Sequence, residues 1–302
     1  MPHQQPDTRD QGVATELVPD WLLTHEYALL NPLIVEPEAW ADLPCEPLVT
    51  PHANVRPHLL PQLIRLNELS SEARLALVER IGRHQRRGVT FFCALLQSDA
   101  SADVIAQHLK LHLEQRRTGD KRRWWLRFYD PHVFRHLCWQ LEPEQMDRLL
   151  GPIAAWRWPD AQGDWHCQSH HSTKQYAMPQ LMLDRKQWRR IDRLASLNAV
   201  LDTLLISAPE KAQEKALWQW VDILLSRAEK LPLNQAEDRQ LYAEQAVRFH
   251  PEIHSHPALK ARLEDAREQG SSYSNSCADL DDAMLESMAT ELNSHNTRKE
   301  GL

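Results

Sequence analysis

Hydrophobic and polar positions follow two different periods along this chain, and the change of period divides it. In the first half, short and nearly continuous apolar runs stand between turn-forming residues, at 26–30, 89–96 and 124–129. Such runs are typical of strands that are covered on both faces. From Asp184 onward, apolar residues recur every three or four positions, which indicates amphipathic helices. The pattern predicts an α/β N-terminal lobe, with a mixed sheet and flanking helices, followed by an all-α C-terminal lobe.

The same pattern sets the expected boundaries. Residues 1–20 are rich in Pro, Gln and Asp, and we expect them to be disordered. Residues 271–302 are rich in Ser, Asn and Asp, and we expect a disordered acidic tail there. Between these ends we expect an α/β domain over 21–175 and a helical lobe over 180–270.

The spacing of the elements predicts how the strands connect. A helix that begins after Ser101 separates the apolar run at 89–96 from the run at 124–129. Because a strand–helix–strand unit within one sheet is almost always a right-handed crossover, we expect these two strands to be parallel. The segments 154–158 and 165–169 are expected to form a hairpin at the edge of the sheet.

The most informative stretch is Arg127-Phe128-Tyr129-Asp130-Pro131, which ends the third apolar run. Asp130 is expected to cap a helix, because its carboxylate can accept the unpaired backbone N–H groups of the first turn. Pro131 suits the first helical position, where no N–H is needed. A charge within a covered strand is costly unless it is paired, so we expect a carboxylate to hold Arg127. On this interpretation both charged residues are structural and not catalytic.

This stretch and the residues that follow it resemble the signature of type VI secretion effector chaperones, and the likeness spans roughly residues 26–158. The resemblance implies an adaptor domain that does no catalysis. It implies that the protein binds and stabilises a cognate effector, by the effector's N-terminal region, and loads it onto a VgrG-type spike protein. The residues that carry the likeness are Arg127, Phe128, Tyr129, Asp130, Pro131, Phe134, Leu137, Gln145, Gly151, Pro152 and Ile153.

Composition narrows the classes of function. A net charge of −7 over 302 residues argues against a general nucleic-acid-binding protein. No apolar run approaches the roughly 20 residues of a membrane-spanning helix, and the N-terminus has no signal-peptide core, so we expect a cytoplasmic protein without membrane insertion.

The five cysteines are scattered without a C-x-x-C pair, which suits reduced thiols in a cytosol. None of the eight glycines forms a phosphate-binding motif, and no cofactor is expected.

A cluster of histidines leaves one alternative open, a metal-dependent hydrolase. His166, Cys167, His170 and His171 are residue types that zinc prefers, and adjacent turns of a hairpin could bring them together. Their spacing, however, is not that of a standard zinc module. We therefore favour polar histidines on an edge hairpin, without a metal.

A basic run leaves a second alternative open, a nucleic-acid-binding module. Five Lys and Arg residues lie within 116–123, next to Trp124 and Trp125. Because the whole chain is acidic and the tryptophans belong to the predicted buried strand, we favour a solvated turn. The run could equally contact an acidic protein partner.

Three aromatic residues of the C-terminal lobe are candidates for partner binding. Trp218 and Trp220 are two positions apart, so they cannot both point into the core stripe of one helix. Protein interfaces are enriched in Trp and Tyr, which makes these residues and Tyr242 candidates for an interface. A wide apolar helix face is the alternative interpretation.

Overall fold

The chain divides into two units, Met1–Gln187 and Trp188–Leu302, which we call the N-terminal and C-terminal units. The computed structural model describes residues 17–52, 55–172, 180–207 and 214–299. A sheet with flanking helices in the first unit precedes a helical second unit, which confirms the predicted fold class.

Strands and helices of the N-terminal unit are short and closely spaced along the chain. The helices are α1 (Pro19–Thr24), α2 (Ser71–Gln85), α3 (Ala102–Leu113), α4 (Pro131–Gln140) and α5 (Pro143–Leu150). The strands are β1 (Tyr27–Leu30), β2 (Cys45–Pro47), β3 (Gln62–Arg65), β4 (Ala94–Gln97), β5 (Glu114–Arg116), β6 (Arg123–Trp125), β7 (Ala155–Pro159) and β8 (Trp165–Ser169).

In the described part of this unit, six strands form one sheet in the order β2-β3-β1-β4-β7-β8, and every pair is antiparallel. All four residues of β1 are buried, because both faces of the sheet are covered. Ala28 and Leu30 pack with Leu77 and Ile81 of α2 on one face. On the other face, Phe134 of α4 stacks on Trp156 of β7, with ring centroids 4.6 Å apart.

The predicted parallel crossover is wrong, and the sheet is antiparallel instead of mixed. β4 pairs with β1 and β7, whereas the run at 124–129 contributes only β6, which pairs with β5 in a separate two-stranded hairpin. Leu126 and Phe128 are nevertheless fully buried. These residues are therefore apolar because a turn packs against the core. In sequence, such a turn has the same pattern as a strand that is covered on both faces. The predicted edge hairpin is confirmed as β7–β8.

The C-terminal unit consists of helices in its described part. They are α6 (Arg185–Ser207), which begins at the end of the N-terminal unit, α7 (Lys215–Ala228), α8 (Ala236–Arg248), α9 (Pro257–Gln269), α10 (Tyr273–Ser276) and α11 (Asp282–Lys299). Arg193 of α6 donates to Asp222 of α7 at 2.8 Å, and both side chains are buried. No helix in the described part is long and apolar enough to cross a membrane.

The structure corrects the expectation of a disordered acidic tail over 271–302 for residues 271–299, and residues 300–302 lie outside the described part. Tyr273 is fully buried, and Leu285 and Met288 of α11 pack into the same core. Leu285, Met288 and Ala289 of α11 are all buried, so a sequence that is polar on average still completes a core. Residues 1–16 lie outside the described part, and α1 begins within the segment that was expected to be disordered.

Candidate functional site

The carboxylate of Asp130 contacts both sides of the turn between β6 and α4, residues 127–131, which we call the Arg127–Pro131 corner. Oδ1 of Asp130 accepts a hydrogen bond from the backbone N–H of His132 at 3.0 Å, with Pro131 in the first turn, as the sequence predicts. Oδ2 of the same carboxylate lies 3.1 Å from Nη2 of Arg127. The side chain of Arg127 is 48% exposed, so this arginine lies at the surface and not in a covered strand. Arg127 and Asp130 therefore form an ion pair, and Asp130 also caps the helix.

The aromatic residues of the motif form part of the core. The Phe128 ring lies 6.0 Å from the ring of Trp156, on which Phe134 also stacks. Tyr129 is buried, and burial raises the pKa of its hydroxyl. Burial raises the pKa of the nearby Cys93 thiol to about 12, and the negative charge of Asp130 adds to this shift. A thiol with this pKa stays protonated near neutral pH and is a poor nucleophile.

Gly151 and Pro152 allow a close approach between the end of α5 and α3. Gly151 has a φ of +55°, and a Cβ built there would lie 2.1 Å from Cε1 of His108. Nε2 of His108 donates to the Leu149 carbonyl at 2.8 Å, while burial lowers the pKa of this histidine to about 4. The Pro152 carbonyl accepts a hydrogen bond from Oγ of Ser98 at 2.6 Å. The Gly-Pro pair thus has a packing role.

Gln145, another residue of the signature, connects α5 to the segment before α6. Its Oε1 accepts from the Glu142 backbone N–H at 3.0 Å and from Nε2 of Gln187 at 2.6 Å. Its Nε2 donates to the Met182 carbonyl at 2.6 Å. Nearly all its hydrogen-bonding capacity is used inside the N-terminal unit, which is the behaviour of a structural amide.

The candidate metal ligands near β8 are divided between two carboxylates. Nε2 of His166 lies 2.9 Å from Oδ2 of Asp160, whereas Nδ1 of His170 and Nδ1 of His171 lie 3.6 Å and 3.4 Å from Oδ1 of Asp147. Cys167 points to the opposite face of the sheet from its neighbour His166, because side chains alternate along a strand. Among the described residues, no group of His, Cys, Asp and Glu has the geometry to hold a metal ion.

The basic run lies in and around the turn of the β5–β6 hairpin, whose tryptophans are half-buried. The guanidinium of Arg117 lies 3.6 Å from the centre of the Trp124 ring, and Nε1 of Trp124 donates to Asp120 at 2.9 Å. Hydrogen bonds from Arg122 lower the pKa of Asp120 to about 2. Sequence patterns missed this hairpin, although Thr118-Gly119-Asp120 is a turn signal and Gly119 has a positive φ.

The three aromatic residues proposed for partner binding have different environments. Trp218 and Trp220 are both half-buried on α7, and the guanidinium of Arg227 lies 5.2 Å from the Trp220 ring centre. Tyr242 stacks on His254 with ring centroids 3.8 Å apart, inside the C-terminal unit. Their role in partner binding stays a prediction.

A comparison of this chain with known protein families found one match, and it includes part of the region just described. Residues 48–148 match the family described as Domain of unknown function (DUF4123), a region that runs from the end of β2 to α5 and contains the Arg127–Pro131 corner. No curated protein matches the chain. No solved structure matches it either. The fold and the corner thus define an α/β unit with a helical second unit, and part of the α/β unit is similar to DUF4123.

Replacing Asp130 by alanine is expected to cost about 1 kcal/mol of stability, because the first turn of α4 loses its cap. Asp130→Asn should keep most of the stability, since asparagine caps a helix equally well. Arg127→Ala should cost less than Asp130→Ala, because the half-exposed guanidinium of Arg127 is screened by solvent and the helix cap is kept. Chemical denaturation of the three variants measures these differences. Full stability with loss of partner binding in Asp130→Ala would contradict the structural role.

Proposed function

We propose that this protein is a type VI secretion adaptor that binds a cognate effector in the cytoplasm, stabilises it and loads it onto a VgrG-type spike protein. One observation carries the proposal: the Arg127–Pro131 stretch with the later Gly151-Pro152 resembles the signature of type VI effector chaperones. The match of residues 48–148 to DUF4123 supports it, because that region contains the first part of the signature.

The environment of the signature residues suits an adaptor better than an enzyme. Asp130 is occupied by the helix end and by Arg127, and Tyr129 is buried with a raised pKa. Catalytic groups usually have a pKa close to the working pH and face a cleft that admits substrate. The signature residues instead hold α4 and α5 against the sheet, which gives a rigid domain for binding another protein.

Co-expression with a candidate effector toxin tests the proposal. We expect the toxin to accumulate in soluble form, and to co-purify with the tagged chain, only when the chain is present. A VgrG-type protein added to the complex should then bind to it. The signature variant Asp130→Asn, which keeps the helix cap, should support the same yield as the unaltered chain.

Two results would contradict an adaptor. Soluble toxin at the same yield without this chain, together with no co-purification, would remove the proposed role. Stoichiometric zinc in the purified protein, with a hydrolytic activity that His170→Ala abolishes, would favour the metal-dependent hydrolase. Measurement of metal content on the same preparation therefore separates the two functions.

A further inference from the structure

A cleft of about 530 Å³ lies beside the β5–β6 hairpin in the N-terminal unit. Part of its lining is aliphatic, from Leu111 of α3 and from Leu181 and Met182 before α6. Met182 is 62% exposed and Leu111 is 37% exposed. Contiguous exposed apolar surface that is rimmed by polar residues marks an interaction site or a binding groove.

The rim of this cleft is basic, although the net charge of the whole chain is negative. Lys110, Arg116 and Arg123 line it. The hairpin at 114–125 contains five Lys and Arg residues and two Asp and Glu residues, a net of +3, whereas the chain has a net charge of −7. Lys110 lies 3.2 Å from Glu46, and Arg123 lies 3.4 Å from Glu114. In the described part of the chain, the exposed guanidinium of Arg116 forms no ion pair.

We propose that this cleft binds an acidic amphipathic segment of the effector. Apolar side chains of the segment pack on Leu111 and Met182, and its carboxylates face Arg116 and the neighbouring cations. The inference rests on the proposed function, because it names the surface by which the adaptor holds its cargo. Charge complementarity of this kind steers association and fixes the register of the bound segment.

A protein segment fits these residues better than a nucleic acid does. The carboxylates of Glu46 and Glu114 interrupt the basic rim. A peptide can place its carboxylates beside the cations and uncharged residues beside the rim carboxylates. A phosphate backbone, in contrast, presents negative charge at every step. One face of Trp124 is covered by the Arg117 guanidinium at 3.6 Å, which hinders the stacking of bases on that ring. The aliphatic lining also has no counterpart in a nucleic-acid backbone.

Two exposed positions allow the surface to be tested without disturbing the core. Arg116→Glu reverses the charge on the rim, and Met182→Asp introduces a charge among the aliphatic side chains. The matched controls are Lys260→Glu and Met284→Asp, which make the same changes at exposed positions of α9 and α11. Circular dichroism and thermal unfolding of the full-length variants establish that each one folds.

Binding of a fluorescently labelled N-terminal region of the candidate effector toxin provides the measurement. We expect each cleft variant to raise the Kd at least about tenfold, and each control to change it less than about twofold. The Arg116→Glu variant should also show a weaker dependence of the association rate on salt, because a steering charge has been removed.

The outcomes separate the cleft from the proposed function. If the unaltered chain binds no toxin, the adaptor role fails and the cleft proposal fails with it. If the unaltered chain binds the toxin and both cleft variants bind equally well, the adaptor role stands and the cleft proposal is overturned. A labelled single-stranded oligonucleotide is the second probe. Tight binding of this probe at about 0.15 M salt, lost in Arg116→Glu, would make the cleft a nucleic-acid site and overturn the proposal.

Discussion

Replacing Gly151 by alanine is expected to lower the free energy of unfolding of the N-terminal unit by about 4 kcal/mol. Gly151 has φ +55° and ψ −112°, a conformation that costs a residue with a side chain about 1–3 kcal/mol. The new Cβ would lie 2.1 Å from Cε1 of His108, so the ring or the end of α5 must move. Overpacking of this kind costs a further 1–3 kcal/mol or so. Chemical denaturation followed by tryptophan fluorescence measures the loss.

Gly88 provides the matched control for the backbone contribution. It has a φ of +71°, yet a Cβ built there would meet no atom within 4 Å. Gly88→Ala should therefore cost only the backbone part, about 1–2 kcal/mol. Equal losses in Gly88→Ala and Gly151→Ala would show that the approach of His108 does not constrain position 151.

A double-mutant cycle isolates the clash itself. His108→Ala removes the ring, so Gly151→Ala made in that background should cost about 2 kcal/mol less than it does in the unaltered chain. An additive result would mean that the two residues do not contact each other in the folded protein.

Local features of the fold could be read from the sequence. The β7–β8 hairpin and the start of α4 depend on residues a few positions apart, and both are where the sequence predicts them. The capping box between Asp184 and Gln187 at the start of α6 is equally local, with reciprocal hydrogen bonds of 2.7 Å and 3.0 Å. Such contacts involve only neighbouring residues, so the sequence contains all that determines them.

Non-local features could not be read in this way. The antiparallel pairing of β4 with β1 and β7 depends on which strands lie side by side, and hydrophobic pattern alone does not encode that choice. The burial of Leu126 and Phe128 by a turn resembles a buried strand in the sequence. The exposure of Arg127 between them follows from the same turn.

The surroundings of the candidate site could not be predicted from the sequence either. The basic run is visible in the sequence, but its position beside Leu111 and Met182 depends on how α3 and the segment before α6 approach the hairpin. Without that approach, the sequence favours a solvated turn and leaves a nucleic-acid site and a protein interface open as alternatives. Its aliphatic neighbours are what favour the protein interface.

Lowering the pH from about 7 to about 5 is expected to destabilise the protein by about 2 kcal/mol for each of three histidines, His25, His108 and His254, whose pKa is lowered in the folded protein. Burial is the main cause that lowers the pKa of His25 and of His108 to about 4, and the pKa of His254 to about 3. In the unfolded chain these groups have a pKa near 6.5. Between about pH 6.5 and 4 the unfolded state therefore binds protons that the folded state does not, and the free energy of unfolding falls as pH falls. Above about pH 6.5 both states are neutral and the three histidines add no pH dependence.

His254 gives the sharpest test, because it lies in the C-terminal unit, away from the other two along the chain. Its Nε2 lies 3.1 Å from Oε1 of Gln245, and the ring stacks on Tyr242. His254→Gln should lower stability at neutral pH through lost stacking, and it should remove about 2 kcal/mol of the loss between pH 7 and pH 5. The same substitution at the exposed His58 controls for the change of side chain. Denaturation curves at a series of pH values give both quantities, and an unchanged pH dependence in His254→Gln would show that His254 does not stay neutral in the folded protein.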